Sequence, residues 1–288
     1  MAVVVAPRVP DSTAESLLEF AAEYAPDIGA GILDYRGLRR FRGEGLAGLD
    51  ADPLPDGSPR VSTVRSADLF SDLNQWLLKV LLAPELPEDL LSAPRERYRN
   101  ASELANSARV SAMSGYRCVQ AFKSEGFLET HGRTLRLVRR KGLLAKWRAA
   151  AGRPGKELPM RLLVGTDARG AAERLAADSG ACLGLFAAAD ALRLGFVSGG
   201  PPYVYVRDLG TAARDNLVPA EAHEAPALFI REPRAAESVF RGAVERDGIY
   251  VSDALQVWLD VARHPLRGKE QANLIRERVL EPLLGRKG

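Results

Sequence analysis

The chain has 288 residues, of which 46% are hydrophobic and 27% charged, and a net charge of +3. That length accommodates two or more domains and a sizeable core, so stability needs no disulfide or metal staple. Two cysteines, Cys118 and Cys182, without a CxxC or zinc spacing, fit a reducing compartment and exclude a disulfide scaffold.

The opening run, Met1-Ala-Val-Val-Val-Ala-Pro7, is apolar but too short for a signal peptide and lacks a basic segment ahead of it. The longest apolar stretch, residues 181–197, contains Asp190 and Arg193 and does not read as a membrane span. A soluble, cytoplasmic protein with no membrane partner is expected. Ser12-Thr13, ahead of Leu17, Leu18 and Phe20, predict an N-capped amphipathic helix. Residues 28–34 and 39–41 predict short strands, and Pro53, Pro55, Gly57 and Pro59 mark a loop or linker.

Apolar residues at 69, 70, 73, 76, 77, 80 and 81 carry a helical period. After a proline-containing connection, Asn100 or Ser102 can cap a short helix over 102–108. A tight turn, Arg109-Val110-Ser111, leads into a second helix over 112–125, which Gly126 stops. On that helix Cys118, Val119 and Phe122 would pack against Leu104, Ala105 and Leu77. Met113, Ser114, Tyr116, Arg117 and Gln120 are left on the outer surface. Residues 127–130 and 134–138 predict a strand pair turning at His131-Gly132-Arg133, and residues 142–151 a further helix.

Charge concentrates in the same region. Between Arg95 and Arg153 fourteen Lys or Arg face four acidic residues, a local excess of ten that leaves the remainder near −7. Clustered positive charge suits a polyanion, because each neutralised phosphate releases condensed counterions. Arg117 and Gln120 are side chains that can read purine edges bidentately in the major groove. Ser111, at a helix start, can bind a phosphate. Lys123 and the hairpin residues Arg133 and Arg136, followed by Arg139, Arg140 and Lys141, would grip the backbone.

Leu104-Ala105, Val110-Ser111 and Glu125-Gly126-Phe127-Leu128, in that order and without a gap, resemble the winged helix-turn-helix of bacterial transcription regulators. Gly115 departs from the pattern, since a small apolar residue is more usual there and glycine costs about 1 kcal/mol relative to alanine.

Further along, a strand is expected over 160–165, helices over 168–179 and 181–194, strands over 203–206 and 227–230, and helices over 252–262 and 269–284. The whole then reads as α/β (α+β), with three regions. An accessory α/β element spans 1–66, a winged helix-turn-helix 67–152, and a C-terminal α/β domain 153–288. Two blocks in the last region resemble AbiEi-type antitoxins of type IV toxin–antitoxin systems. One is Ala187-Ala-Ala-Asp190-Ala191-Leu192 with Tyr203-Val-Tyr-Val206. The other is Val251-Ser252-Asp-Ala-Leu255-Gln256-Val-Trp-Leu259-Asp260 with Pro265-Leu-Arg-Gly268. The resemblance implies an autoregulating repressor that binds double-stranded operator DNA and a C-terminal domain that neutralises a nucleotidyltransferase-type toxin. Two features depart from the simplest pattern: the winged helix is not N-terminal, and residues 1–66 are additional. Gln256 and Asp260, one turn apart, are expected as a helix-surface pair or a polar contact site, and Trp258 as core or interface.

Enzyme readings fare less well. His131, His223 and His264 are scattered, no nucleophile elbow or phosphate loop occurs, and no cofactor is implied. The helix, Ile32-Leu33-Asp34 and the following strand resemble the start of a PD-(D/E)xK nuclease core. Glu44, however, is followed by Gly45-Leu46, without the lysine that chemistry needs. The alternatives to a DNA-binding repressor are therefore a protein-interaction scaffold with little DNA affinity and a DNA-processing nuclease.

Overall fold

The computed structural model describes residues 1–6, 9–34, 37–52, 69–151, 155–178, 180–197, 199–211 and 216–284. It divides the chain into two compact units, Met1–Ala67 and Asp68–Gly288. Both are mixed α and β, an α+β arrangement. The proline-rich stretch 53–59 and Gly152-Arg-Pro154, expected as loops, lie outside the described residues.

In the first unit β1 (Ala2–Ala6) leads through α1 (Asp11–Tyr24) to β2 (Ala30–Asp34), which it pairs in parallel. β3 (Arg39–Arg42) lies antiparallel on the other side of β2. The apolar opening run, expected only to lack a signal peptide, holds a strand, which its three consecutive valines favour. The expected helix cap also shifts. Pro10 precedes the helix and Asp11 occupies its first turn, where a negative charge suits the helix dipole. Ser12 and Thr13 are therefore helical, and the Ser16 hydroxyl donates to the Ser12 carbonyl at 2.9 Å. Ala14, Ile32 and Leu38 form the buried centre, flanked by Val9 and Leu18.

The second unit opens with α2 (Asp72–Leu82), preceded by buried Leu69 and Phe70. α3 (Ala101–Ser107) and α4 (Ala112–Ser124) follow, then the hairpin β4 (Leu128–His131) and β5 (Thr134–Leu137), and α5 (Arg140–Ala150). Asn100, not Ser102, caps α3 by accepting from the Glu103 amide at 2.9 Å. Gly126 takes φ +70°, the left-handed conformation that ends α4.

The rest of this unit is a sheet of seven strands among the described residues. They are β6 (Lys156–Leu162), β7 (Ala181–Gly184), β8 (Tyr203–Val206), β9 (Leu217–Pro219), β10 (Leu228–Glu232), β11 (Val244–Arg246) and β12 (Ile249–Val251), in the order β11-β12-β7-β8-β10-β6-β9. Only the β12–β7 and β8–β10 pairs are parallel. Around the sheet run α6 (Ala168–Ala176), α7 (Leu185–Ala191), α8 (Ala236–Gly242), α9 (Ala254–Val261) and α10 (Gly268–Ile275). A π-helical turn, Arg276–Leu280, continues α10 into α11 (Glu281–Leu284).

The helix expected over 181–194 forms only over Leu185–Ala191, because residues 181–184 form a central strand. All four are buried on both faces of the sheet, and a continuous apolar run does not distinguish a buried strand from a buried helix. Gly184 lies so close to the Tyr205 ring that a Cβ would meet it at 2.7 Å. The chain then enters α7 through Leu185 at φ +46°.

The regions expected as separate domains over 67–152 and 153–288 fall, from Asp68 onward, in one compact unit and contribute to one continuous core. Polar contacts join them as well. Asp72 accepts from the Glu237 and Ser238 amides at 2.9 and 2.7 Å, capping α8 from α2. Arg263 donates to the Arg148 and Ala149 carbonyls at the C-terminal end of α5. Lys79, fully buried, fills its three donors with Asp253 at 2.7 Å, the Ser238 carbonyl at 2.9 Å and Gln256 Oε1 at 3.3 Å. Gln256 Nε2 then donates to Asp260, which also accepts the Tyr205 hydroxyl at 2.6 Å. Gln256 and Asp260 are thus interior links joining α9 to α2 and β8, not the surface pair expected. Trp258 is core, 2% exposed.

Candidate nucleic-acid interface

The site begins with the α3–α4 crossing. Leu104, Ala105, Cys118, Val119 and Phe122 are buried, as their helical spacing predicts. Gly115, the apparent departure, sits where the two helices touch. A Cβ there would lie 2.7 Å from Ala105 Cβ and 2.8 Å from the Ala101 carbonyl oxygen. The missing side chain is what allows the approach, so the propensity cost of the glycine is offset by packing.

The turn between the helices is held from below. The Ala108 carbonyl accepts from Trp76 Nε1 at 2.9 Å and from Arg241 at 3.1 Å, and Arg241 also donates to the Arg109 carbonyl at 3.1 Å. Arg109 takes φ +51°, and its side chain is exposed. In the sequence Arg109 is marked only as a turn position, and its one functional signal is a basic side chain beside a helix start. Ser111 caps α4, accepting from the Ser114 amide at 3.1 Å, and the two hydroxyls lie 2.9 Å apart. Both are therefore engaged with each other at the helix start.

Met113, Tyr116, Arg117 and Gln120 are exposed, at positions i, i+3, i+4 and i+7 of α4, and so share one face; Ser114 beside them is half-buried. Lys123 is exposed and donates to the Thr130 hydroxyl at 3.1 Å, which ties α4 to β4. Arg133 stands at the hairpin tip beside Gly132 (φ +60°), and Arg136 is exposed on β5 opposite Glu129. The free edge of β5 is pinned by a hydrogen bond from the Leu135 amide to the Tyr98 carbonyl at 2.7 Å. The helix face and the hairpin are thus set by core packing together with the Lys123 and Leu135 hydrogen bonds.

Not every basic residue of the region is available to a ligand. Arg140, expected to extend the grip of the hairpin, pairs instead with Glu85 and donates to the Leu283 carbonyl at 3.1 Å. Arg139 lies over the Phe127 ring, 5.4 Å from its centroid, and Lys146 pairs with Glu125, though both remain exposed. Lys141 is exposed.

No protein-family model, curated protein or solved structure matches this chain.

The residues weighed for catalysis are occupied otherwise. Burial pushes the Cys118 thiol up to about 12 and the Cys182 thiol higher still, so both stay protonated near neutrality. Asp34 accepts from the Leu38 amide at 3.0 Å and the Val9 amide at 3.3 Å. Glu44 falls beyond β3 rather than on it. Among the described residues no group of three His, Cys, Asp or Glu side chains is placed to hold a metal, and no helix is long and apolar enough to cross a membrane.

Proposed function

We propose that residues 67–152 form a winged helix-turn-helix that binds double-stranded DNA sequence-specifically, and that the protein is a transcriptional repressor of the autoregulating antitoxin type rather than an enzyme. The observation that carries the reading is the exposed stripe Met113–Tyr116–Arg117–Gln120 on α4, beside a hairpin bearing Arg133 and Arg136. α4 has thirteen residues, a rod about 20 Å long, which a major groove admits. Arg117 and Gln120 supply the donors for purine edges, Met113 and Tyr116 apolar contact to thymine methyls, and Lys123, Arg133 and Arg136 charge for phosphates. The antitoxin part of the proposal is supported by the resemblance of the blocks that fall on α7, β8, α9 and α10. It brings a nucleotidyltransferase-type toxin as a second partner.

The test is a mobility shift on the DNA upstream of the gene, at two salt concentrations and with random competitor. A specific shift that weakens with salt is expected. Arg117→Ala should cost about 1–3 kcal/mol of discrimination between operator and random DNA. Arg133→Ala should weaken all sequences alike and reduce the log–log salt slope by about one. Equal loss of specific and random binding in both variants would remove the assignment of roles. No shift at low salt would replace DNA by a protein partner, the reading that exposed Met113 and Tyr116, 57% and 55% accessible, otherwise favour.

A further inference from the structure

The first unit carries a surface that the DNA-binding reading does not use. Among the described residues β1 is an edge strand, paired only with β2, and its sequence is Ala2-Val3-Val4-Val5-Ala6. It has no charge, no proline and no bulge, the devices by which edge strands avoid pairing with other chains. α1 packs over β2 and β3, and the three valines of β1 are 42%, 48% and 58% exposed. On α1, Leu17, Phe20 and Tyr24 are also exposed, at 41%, 60% and 68%, with the two aromatic rings stacked 4.5 Å apart. They lie on the helix flank next to buried Ala14 and half-buried Leu18. In a right-handed β1–α1–β2 crossover that flank turns toward the β1 edge.

The strand is self-complementary in two independent ways. Its sequence reads the same in both directions, so an antiparallel copy centred on Val4 sets Val4 against Val4, Val3 against Val5 and Ala2 against Ala6. The backbone agrees with that register. The Ala2 amide donates inward to the Gly29 carbonyl at 2.8 Å, so by strand alternation Ala2, Val4 and Ala6 direct their N–H and C=O groups to β2. Val3 and Val5 direct theirs outward. A two-fold axis at Val4 makes each Val3–Val5 pair a hydrogen-bonded pair, filling all four outward groups of each copy, and leaves Val4–Val4 as the close, non-hydrogen-bonded pair.

We infer that β1 is a homodimerisation strand, joining two copies of this chain through an isologous antiparallel β1–β1 pair into a continuous six-stranded sheet. Phe20 and Tyr24 of both copies roof the join, since a two-fold axis normal to the sheet puts both α1 helices on the same face. Val4 shares the α1-covered face with its register partner Ile32 and so lies under that roof, while Val3 and Val5 meet their counterparts on the opposite face.

The inference is independent of DNA binding and is tested on the full chain by sedimentation and by register-specific cross-linking. Wild-type protein should sediment as a dimer. Under mild oxidation Val4→Cys should cross-link rapidly, because the non-hydrogen-bonded pair holds its Cα atoms about 4.5 Å apart, within disulfide reach. Val3→Cys should not, because its partner is Val5; the native thiols are buried. Val3→Pro removes only an outward donor and should weaken dimerisation about tenfold or more with the fold intact by circular dichroism. A monomer at all concentrations, or equal cross-linking at positions 3 and 4, overturns the inference. Should Val3→Pro fail to fold, the comparison of the two cysteine variants decides.

Discussion

His264 shows how a single side chain couples packing to solution conditions. It is half-buried between the edges of Phe186 and Tyr203, with ring centroids at 4.9 and 5.9 Å. Burial first, and the nearby Arg231 guanidinium second, hold its imidazole below the usual value, against a smaller opposing effect of Glu157. The unfolded chain protonates at about 6.5, whereas the folded protein resists the proton. His264 therefore contributes stability above that pH and loses it as pH falls toward the folded value. Urea midpoints should drop between pH 7.5 and 5.5, and His264→Gln should flatten that part of the profile. An unchanged slope would mean that other groups carry it. Nothing in the sequence marked this histidine, because its aromatic neighbours come from positions about 60 and 80 residues away.

Within single elements, the α3–α4 crossing is the most demanding. Local propensity favours replacing Gly115 by alanine, by about 1 kcal/mol. The geometry opposes it, since the new methyl would meet both Ala105 Cβ and the Ala101 carbonyl at under 3 Å. Gly115→Ala should therefore destabilise the protein by about 1–3 kcal/mol, the usual cost of overpacking. If α4 reads DNA as proposed, the same change should weaken that binding by tilting the helix. A stabilised variant in thermal unfolding would show that the helices part at little cost. The two helices, their turn and the hairpin were legible in the sequence, because caps, period and Gly126 act over a few residues. The reason for Gly115 was not, because it depends on which residue of α3 lies opposite.

Across the molecule, the polar cluster around Lys79 determines whether α2 and α9 belong to one body. The ion pair with Asp253 spans 174 positions and is fully buried at both ends. Removing one partner of such a pair leaves the other charge stranded. Lys79→Met should thus cost about 3–5 kcal/mol in urea unfolding. Adding Asp253→Asn should recover part of the loss, since asparagine removes the stranded charge yet still accepts the Leu255 and Gln256 amides at the start of α9. Residues 67–152 and 153–288 should then unfold in one transition. Two separate transitions, or a loss under about 1 kcal/mol from Lys79→Met, would show that the cluster does not join them.

The sequence by itself determined what short-range physics controls: the buried and exposed faces of α4, the caps and turns around it, and the concentration of positive charge. Tertiary structure decided the rest. It made residues 181–184 a strand by placing them between β12 and β8. It turned Gln256 and Asp260 inward beside Lys79 and Tyr205, and it took Arg140 from the basic surface by giving it Glu85. Each of those outcomes rests on partners distant in the chain. An apolar run or a polar pair has the same local pattern whether it faces solvent or another element, and only the packed neighbour breaks the tie.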